Sequence, residues 1–316
     1  FKWIINLSSP FSVLSLKNRN QDPLGFSNEL GSNFMEWGFC GIKDHKINKL
    51  LVKEVVSIFS SFFSLSDEIK NQYHNPLLGG ARGYTPYKIE TPKGGINPDM
   101  KEFWHTGREL NLNHPYRQWM PDNYVIKEVP DFQTKTQELY TQFDELGKTI
   151  LNSIAVYLDL DESYFDSAVV EGNSIMRPIH YPPISSTEQG ERAGAHEDIN
   201  LITLLIGGHQ SGLELLSKDG LWKKINLDDD VIICNIGDML QRLTNNYLKS
   251  TTHRVTALPE ESMTSRYSIP FFVHPNPDWY IETLESCCTE DNPNNYKEGI
   301  LAEDYLRERL QEIKLI

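Results

Sequence analysis

The texture of the chain changes near residue 174, and that change constrains the fold more than any other feature. Upstream, Ile47, Leu50, Leu51, Val55, Ile58, Phe59 and Phe62 recur at helical spacing and predict an amphipathic helix over 47–62. Pro130 and Asp131 supply a start signal for a second long helix, whose face carries Phe132, Leu139, Phe143, Leu146, Ile150, Ile154 and Leu158. Downstream, β-like runs at 175–181, 199–206, 213–216, 222–225, 231–236, 250–256, 267–273 and 279–282 alternate with turn residues such as Gly207-Gly208 and Asp219-Gly220. Many short strands at fairly even spacing argue for a sandwich, jelly roll or barrel. Short strands are also expected at 3–7 and 36–41, and the Gly- and Pro-rich stretch 76–121 reads as ordered loop with short strands. A closing helix is expected over 301–313, apolar at Tyr305, Leu306, Leu310 and Ile313. With no repeat, low-complexity tract or flexible linker, the chain is expected to fold as one compact body.

Charge and hydropathy narrow the partners. The 316 residues carry 44 Asp and Glu against 30 Lys and Arg, a net charge of −14, so a nucleic-acid backbone would on average be repelled. Mean hydropathy is −0.45, and no apolar run approaches the roughly 20 residues of a membrane helix. The expected partner is a small molecule, with neither nucleic acid nor membrane involved, and the expected state is a monomer. The cysteines Cys40, Cys234, Cys287 and Cys288 form no CxxC pair. Their use fits a reducing compartment, so a cytoplasmic location is expected. The chain begins at Phe1 rather than Met, as a trimmed or processed chain would, and a removed leader is compatible with this reading.

Among the nine histidines, His196 has an aspartate two positions on, in Ala195-His196-Glu197-Asp198. In an extended strand, residues i and i+2 share a face with Cα atoms roughly 6.5 Å apart, so both side chains can converge on one ion while Glu197 faces away. A third ligand is available downstream in His253, within the β-like Lys249-Ser250-Thr251-Thr252-His253-Arg254-Val255. Two imidazoles and one carboxylate bind one face of Fe(II) and leave three positions open. Zinc is the competing metal, but neither an HExxH helix nor a Cys set accompanies these residues.

Several blocks now line up in order: Met176-Arg177 through Tyr181-Pro182-Pro183, His196-Glu197-Asp198, the 235–241 stretch with Thr244-Asn245, Lys249-Ser250 with His253-Arg254-Val255, and Arg266-Tyr267-Ser268. Upstream stand Trp37-Gly38-Phe39, Gly83-Tyr84-Thr85-Pro86 and Lys101-Glu102-Phe103. Together they resemble the isopenicillin N synthase-like branch of the Fe(II)/2-oxoglutarate dioxygenases over most of the chain. The resemblance implies a mainly β fold with flanking helices: a distorted jelly roll, or double-stranded β-helix, with an N-terminal α/β region and the metal inside one end. It divides the chain into an N-terminal helical and loop region (1–173), the jelly-roll core (174–282) and a C-terminal helical extension (283–316). By position it implies His196, Asp198 and His253 as iron ligands, with 2-oxoglutarate and O2 as co-substrates. Arg266 and Ser268, again at i and i+2, would hold the distal carboxylate of 2-oxoglutarate, where an arginine fork binds bidentately and a hydroxyl donates once more. Tyr181 would reach the same carboxylate. Many plant relatives carry Asn two positions before that tyrosine, where this chain has Ile179.

The implied reaction attacks a substrate C–H bond and releases succinate and CO2, with hydroxylation as the default and desaturation or oxidative ring closure as variants. The rival readings are an oxidase of the isopenicillin N synthase type without 2-oxoglutarate, and a non-catalytic jelly-roll metabolite sensor that retains the metal. For substrate, Arg82, Tyr84, Phe103 and His105 lie in the segment that by resemblance approaches the open side of the iron, and Arg192 precedes the metal strand. Cationic and hydrogen-bonding groups in an acidic chain favour an anionic ligand, so a small, carboxylate-bearing, amino-acid-derived metabolite is expected. Asp238 and Asn245 are expected to brace turns, and His180 and His209 to be structural or surface histidines.

Overall fold

The computed structural model of the protein describes residues 9–91, 97–184, 191–207, 212–256 and 263–312. The strand expected at 3–7, His209, the second glycine of the 207–208 turn and Ile313 lie outside the described residues. Two sheets face each other. The larger has nine strands, in the order Val13–Ser15, Phe39–Lys43, Ile232–Ile236, Ile202–Ile206, Arg266–Val273, Ile175–Met176, Glu102–Gly107 and Gly83–Thr85, with Ile179–Tyr181 pairing both Arg266–Val273 and Glu102–Gly107. The smaller runs Trp222–Lys224, Leu213–Leu216, His253–Val255, Ala193–His196. This is the jelly roll that the strand pattern and the resemblance imply, and its larger sheet also takes in four strands from before residue 174.

Alternation along Arg266–Val273 explains how one strand serves two purposes. Ile269, Phe271 and Val273 enter the apolar core under the helices, whereas Arg266, Ser268, Pro270 and Phe272 line a cavity between the sheets. On the helix side, Phe271 stacks on Phe143 at 5.1 Å and meets Tyr140 edge-on at 5.0 Å. Both belong to the helix Phe132–Tyr157, which packs against the helices Pro23–Trp37 and Lys49–Phe63. No helix among the described residues is long and apolar enough to cross a membrane.

Departures from the sequence expectation have local causes. The run expected at 175–181 is two strands, because Pro178 has no N–H to give a ladder; Arg177 N–H instead donates to Pro270 O at 2.9 Å. The run expected from 199 begins only at Ile202, since the residues before it form the loop that carries Asp198. The strand expected at 36–41 is the end of the helix Pro23–Trp37 followed by Phe39–Lys43. Gly38 makes that switch at φ 69°, where a Cβ would also lie 2.7 Å from Lys249 O.

Candidate active site

Strand pairing makes neighbours of His196 and His253. They sit directly opposite each other on the antiparallel strands Ala193–His196 and His253–Val255, with ring centroids 4.4 Å apart. Asp198 lies two residues past the end of the first strand, and its Oδ1 is 3.8 Å from His196 Nε2 and 3.9 Å from His253 Nε2. The three donor atoms all lie within 4.8 Å of one another.

Each donor is aimed by a hydrogen bond on its far side. His196 Nδ1 is 2.7 Å from Gly194 O and His253 Nδ1 is 3.1 Å from Thr251 O, so both rings donate to carbonyls and turn a lone pair on Nε2 inward. Asp198 Oδ2 accepts from Thr203 Oγ1 at 2.6 Å and Asn235 Nδ2 at 2.8 Å, which leaves Oδ1 for the centre. Burial, followed by the neighbouring His253, lowers the His196 pKa to about 4 and keeps the ring neutral. Burial raises the Asp198 pKa, but both histidines and the two hydrogen bonds more than offset it and hold it below the ordinary value. Two imidazoles and one carboxylate, with their outer atoms already engaged, fit a divalent metal held on one face. Glu197 points away and accepts from Thr252 Oγ1 at 2.8 Å.

The cavity beside this cluster holds roughly 580 Å³ of atom-free space, counting its solvent-open mouth. Arg266, Ser268 and Tyr181 line it. Arg266 is opposite Tyr181 in the strand register, with its guanidinium carbon 4.9 Å from the ring centroid, and Ser268 is opposite Ile179. Apolar walls come from Phe39, Leu205, Leu213, Val255 and Phe272, and Phe39 meets the His253 ring edge-on at 5.4 Å.

The five residues expected at the substrate side lie elsewhere: Arg82, Tyr84, Phe103, His105 and Arg192 are not among the described residues lining this cavity. All five are buried. Tyr84 hydroxyl donates to Glu102, which also pairs with Lys70 at 2.8 Å. Arg192 donates to Thr264 O at 3.0 Å. Arg82 donates to Ala81 O at 2.7 Å, and burial lowers its pKa to about 10. Phe103 and His105 support another cation, Arg177, whose guanidinium carbon lies 4.3 Å from the Phe103 ring centroid and whose Nε donates to His105 Nε2. The sequence marks Arg82 and Arg192 as cations but not as buried ones, because burial leaves no sign on an isolated arginine.

Besides Arg266, the cations that face the cavity among the described residues are Lys101 and Arg177, which stand out in the sequence only as parts of motif blocks. Lys101 Nζ pairs with Glu90 and Asp99, each at 2.7 Å, and Arg177 pairs with Glu90 at 3.3 Å. Burial disfavours the charge on Lys101, yet Glu90 and Asp99 more than offset it and raise its pKa. Asp238 and Asn245 brace as expected: Asp238 N–H donates to Asp198 O at 2.7 Å, and Asn245 Nδ2 donates to carbonyls of Cys287, Asn292 and Pro293. His180 is structural, bonded to Glu102 at 2.8 Å and stacked on Tyr267.

A jelly roll with a two-histidine, one-aspartate cluster between its sheets defines a class of non-haem metal enzyme. The comparisons with known proteins agree. Residues 172–275 match the 2OG-Fe(II) oxygenase superfamily and residues 9–128 the N-terminal region described as "non-haem dioxygenase in morphine synthesis N-terminal". The 2-oxoglutarate-Fe(II) type oxidoreductase hxnY of Emericella nidulans is 32% identical over 284 residues, which cover 85% of this chain and 79% of that protein. A solved structure from Caulobacter crescentus, described as a 2OG-Fe(II) oxygenase family protein, superposes with a TM-score of 0.90 at 43% identity, covering 97% of this chain and 100% of that one. A full-length Neurospora crassa protein solved in complex with alpha-KG and thymine superposes with a TM-score of 0.83 at 27% identity, covering 95% and 96% respectively. The chain belongs to the 2OG-Fe(II) oxygenase superfamily. It is an Fe(II)/2-oxoglutarate-dependent dioxygenase acting on a small molecule.

Proposed function

We propose that His196, Asp198 and His253 are the iron ligands, that Arg266, Ser268 and Tyr181 hold the distal carboxylate of 2-oxoglutarate, and that Lys101 and Arg177 receive the substrate. The observation that carries this reading is the aiming of three donors at one point by Gly194, Thr251, Thr203 and Asn235, at the wall of a cavity that also contains an arginine. Bound Fe(II) supplies the oxidising chemistry, in which O2 and 2-oxoglutarate yield succinate and CO2 as one oxygen atom enters a substrate C–H bond. The residues of this chain do the rest. Arg266 and Ser268 donate to the carboxylate far from the metal, which orients 2-oxoglutarate along the cavity. Leu205, Leu213, Val255 and Phe272 exclude water from the reacting region. Lys101 and Arg177 favour a small substrate that presents a carboxylate, consistent with an amino-acid-derived metabolite.

The 174–282 segment is the catalytic unit in this reading, with 1–173 supplying Phe39 and Lys101 to the cavity and 283–316 forming a C-terminal extension whose Arg309 pairs with Asp238. The monomer expected from the sequence is kept in this reading, and the net charge of −14 disfavours nucleic acid. A cytosolic location is supported by Cys40 and Cys234, which face each other across antiparallel strands and remain free thiols.

Anaerobic addition of Fe(II) and then 2-oxoglutarate tests the assignment. A weak visible charge-transfer band is expected in the wild type and lost in His253→Ala, together with iron affinity and succinate release. Wild-type iron affinity in His253→Ala would remove that residue from the site. Screening carboxylate-bearing compounds for stimulation of succinate release, with ester and amide analogues of any hit, then tests the substrate class.

A further inference from the structure

A line of hydrogen bonds runs from the cavity wall to one of the proposed ligands through a residue that touches neither metal nor substrate. Glu90 pairs with Lys101 at 2.7 Å, and Lys101 pairs with Asp99 Oδ2 at 2.7 Å. The other oxygen, Asp99 Oδ1, accepts the N–H of Gly194 at 2.8 Å. The carbonyl of that same Gly194 accepts from His196 Nδ1 at 2.7 Å. Asp99 is 6% exposed and Lys101 7%, so neither contact has water as a ready substitute. The adjoining residue repeats the attachment, with Met100 N–H donating to Glu191 O at 3.0 Å.

Geometry makes this more than packing. The His196 ring can present Nε2 to the centre only while its Nδ1–H finds the Gly194 carbonyl, and the orientation of that carbonyl is set by the peptides around Gly194. Among the described residues, Ala193–His196 lies at the end of the smaller sheet's order, with His253–Val255 as its partner strand. Its register shifts between His253 and Val255, so Gly194 is matched to no residue across the ladder and its N–H goes to Asp99 instead. Asp99 supplies the missing hold from across the chain.

We propose that Asp99 is a positioning residue for His196, fixing the Gly194 peptide through its carboxylate while Lys101 fixes the carboxylate. Outer partners of metal-ligating histidines typically govern metal affinity by roughly 10- to 100-fold, and here the partner acts one peptide further out, so about tenfold is the expected scale. The proposal rests on the reading of His196, Asp198 and His253 as ligands.

The test is Mn(II) affinity of the metal-free protein, measured by titration without 2-oxoglutarate or substrate, alongside urea unfolding. Asp99→Ala removes the acceptor and should weaken Mn(II) binding about tenfold. Asp99→Asn keeps an oxygen for Gly194 N–H but sets an amide against Lys101; it should lose stability yet bind Mn(II) within about threefold of wild type. A purely structural ion pair would destabilise both variants and leave both affinities alone, and that result overturns the proposal, as does an equal loss of affinity in the two. If Asp99→Ala does not fold, amide exchange in the wild type decides: Mn(II) should slow exchange in peptides covering 192–196 and in those covering 98–101, and slowing confined to the first set overturns the proposal. Failure of the wild type to bind Mn(II) or Fe(II) at all would instead strike the ligand assignment itself.

Discussion

In the proposed assignment two arginines divide the cavity between two carboxylates, and their surroundings differ in a way that can be measured. Arg266 lies over Tyr181 with Ser268 beside it on the same strand. Arg177 is wedged between the Phe103 and Phe272 rings, 4.3 and 5.1 Å from their centroids, with Glu90 as its ion-pair partner. Truncating one partner of a desolvated, charge-assisted pair costs on the order of 2–5 kcal/mol. Arg266→Leu should therefore raise the Kd for 2-oxoglutarate at least about 30-fold while iron affinity is kept, and Arg177→Leu should raise the KM for substrate while leaving 2-oxoglutarate binding near wild type. Equilibrium titration of 2-oxoglutarate against both variants checks the separation; a shared effect on one ligand would merge the two subsites. His196, Asp198 and His253 could be brought together on paper because strand alternation and one distant histidine supply both faces of a pair. Asp99, Lys101 and Arg177 could not, since each is an ordinary charge in its own segment and only the folded contacts among 90, 99, 101, 177 and 194 give them a common place. Arg82 and Arg192 fail in the opposite sense: their charge was legible and their burial was not.

Among the elements, legibility followed the strength of periodicity. The helix Lys49–Phe63 and the helix Phe132–Tyr157 have wide apolar stripes and stood out. The helix Pro23–Trp37 did not, because Gly25 and Gly31 interrupt it and its buried face includes Ser27 and Asn33. The structure supplies the reason for Gly31: a Cβ there would lie only 2.1–2.3 Å from ring carbons of Tyr157, at the end of the 132–157 helix. Intrinsic propensity favours Ala over Gly in a helix by about 1 kcal/mol. Overpacking a close interface costs about 1–3 kcal/mol, and the Tyr157 ring is further held by its hydroxyl contact with Tyr247 at 3.0 Å. Packing should win, so Gly31→Ala is expected to destabilise the protein by about 1 kcal/mol net. A lowered urea midpoint at unchanged m-value is the expected result, and a raised midpoint would mean that the ring moves aside at little cost.

At the scale of the whole molecule, buried titratable groups set opposing limits on stability with pH. Burial lowers the pKa of His274 from 6.5 to about 4. As pH falls the unfolded chain takes that proton first, so stability is lost from about 6.5 down to about 4. Glu303 acts in the other direction from the start of the helix Ala302–Glu312, which faces His274 across a small cavity. Burial raises its carboxyl from 4.5 to about 7, with Arg307 opposing the shift and Asp304 adding to it. As pH rises the unfolded chain releases the Glu303 proton first, so this contribution is full below about 4.5, declines to about 7 and is then level. Asp238, raised to about 6 by burial against the pull of Arg309, declines over an overlapping range and ties the same helix to the loop behind Asp198. Glu303→Gln cannot ionise, while His274 and Asp238 titrate alike in variant and wild type and cancel from the comparison. The difference in urea midpoint between the two proteins should thus be small near pH 4.5, grow in favour of the variant up to about pH 7, and stay constant above it. A difference that does not change with pH would show that Glu303 keeps an ordinary carboxyl pKa and that this helix docks without burying it.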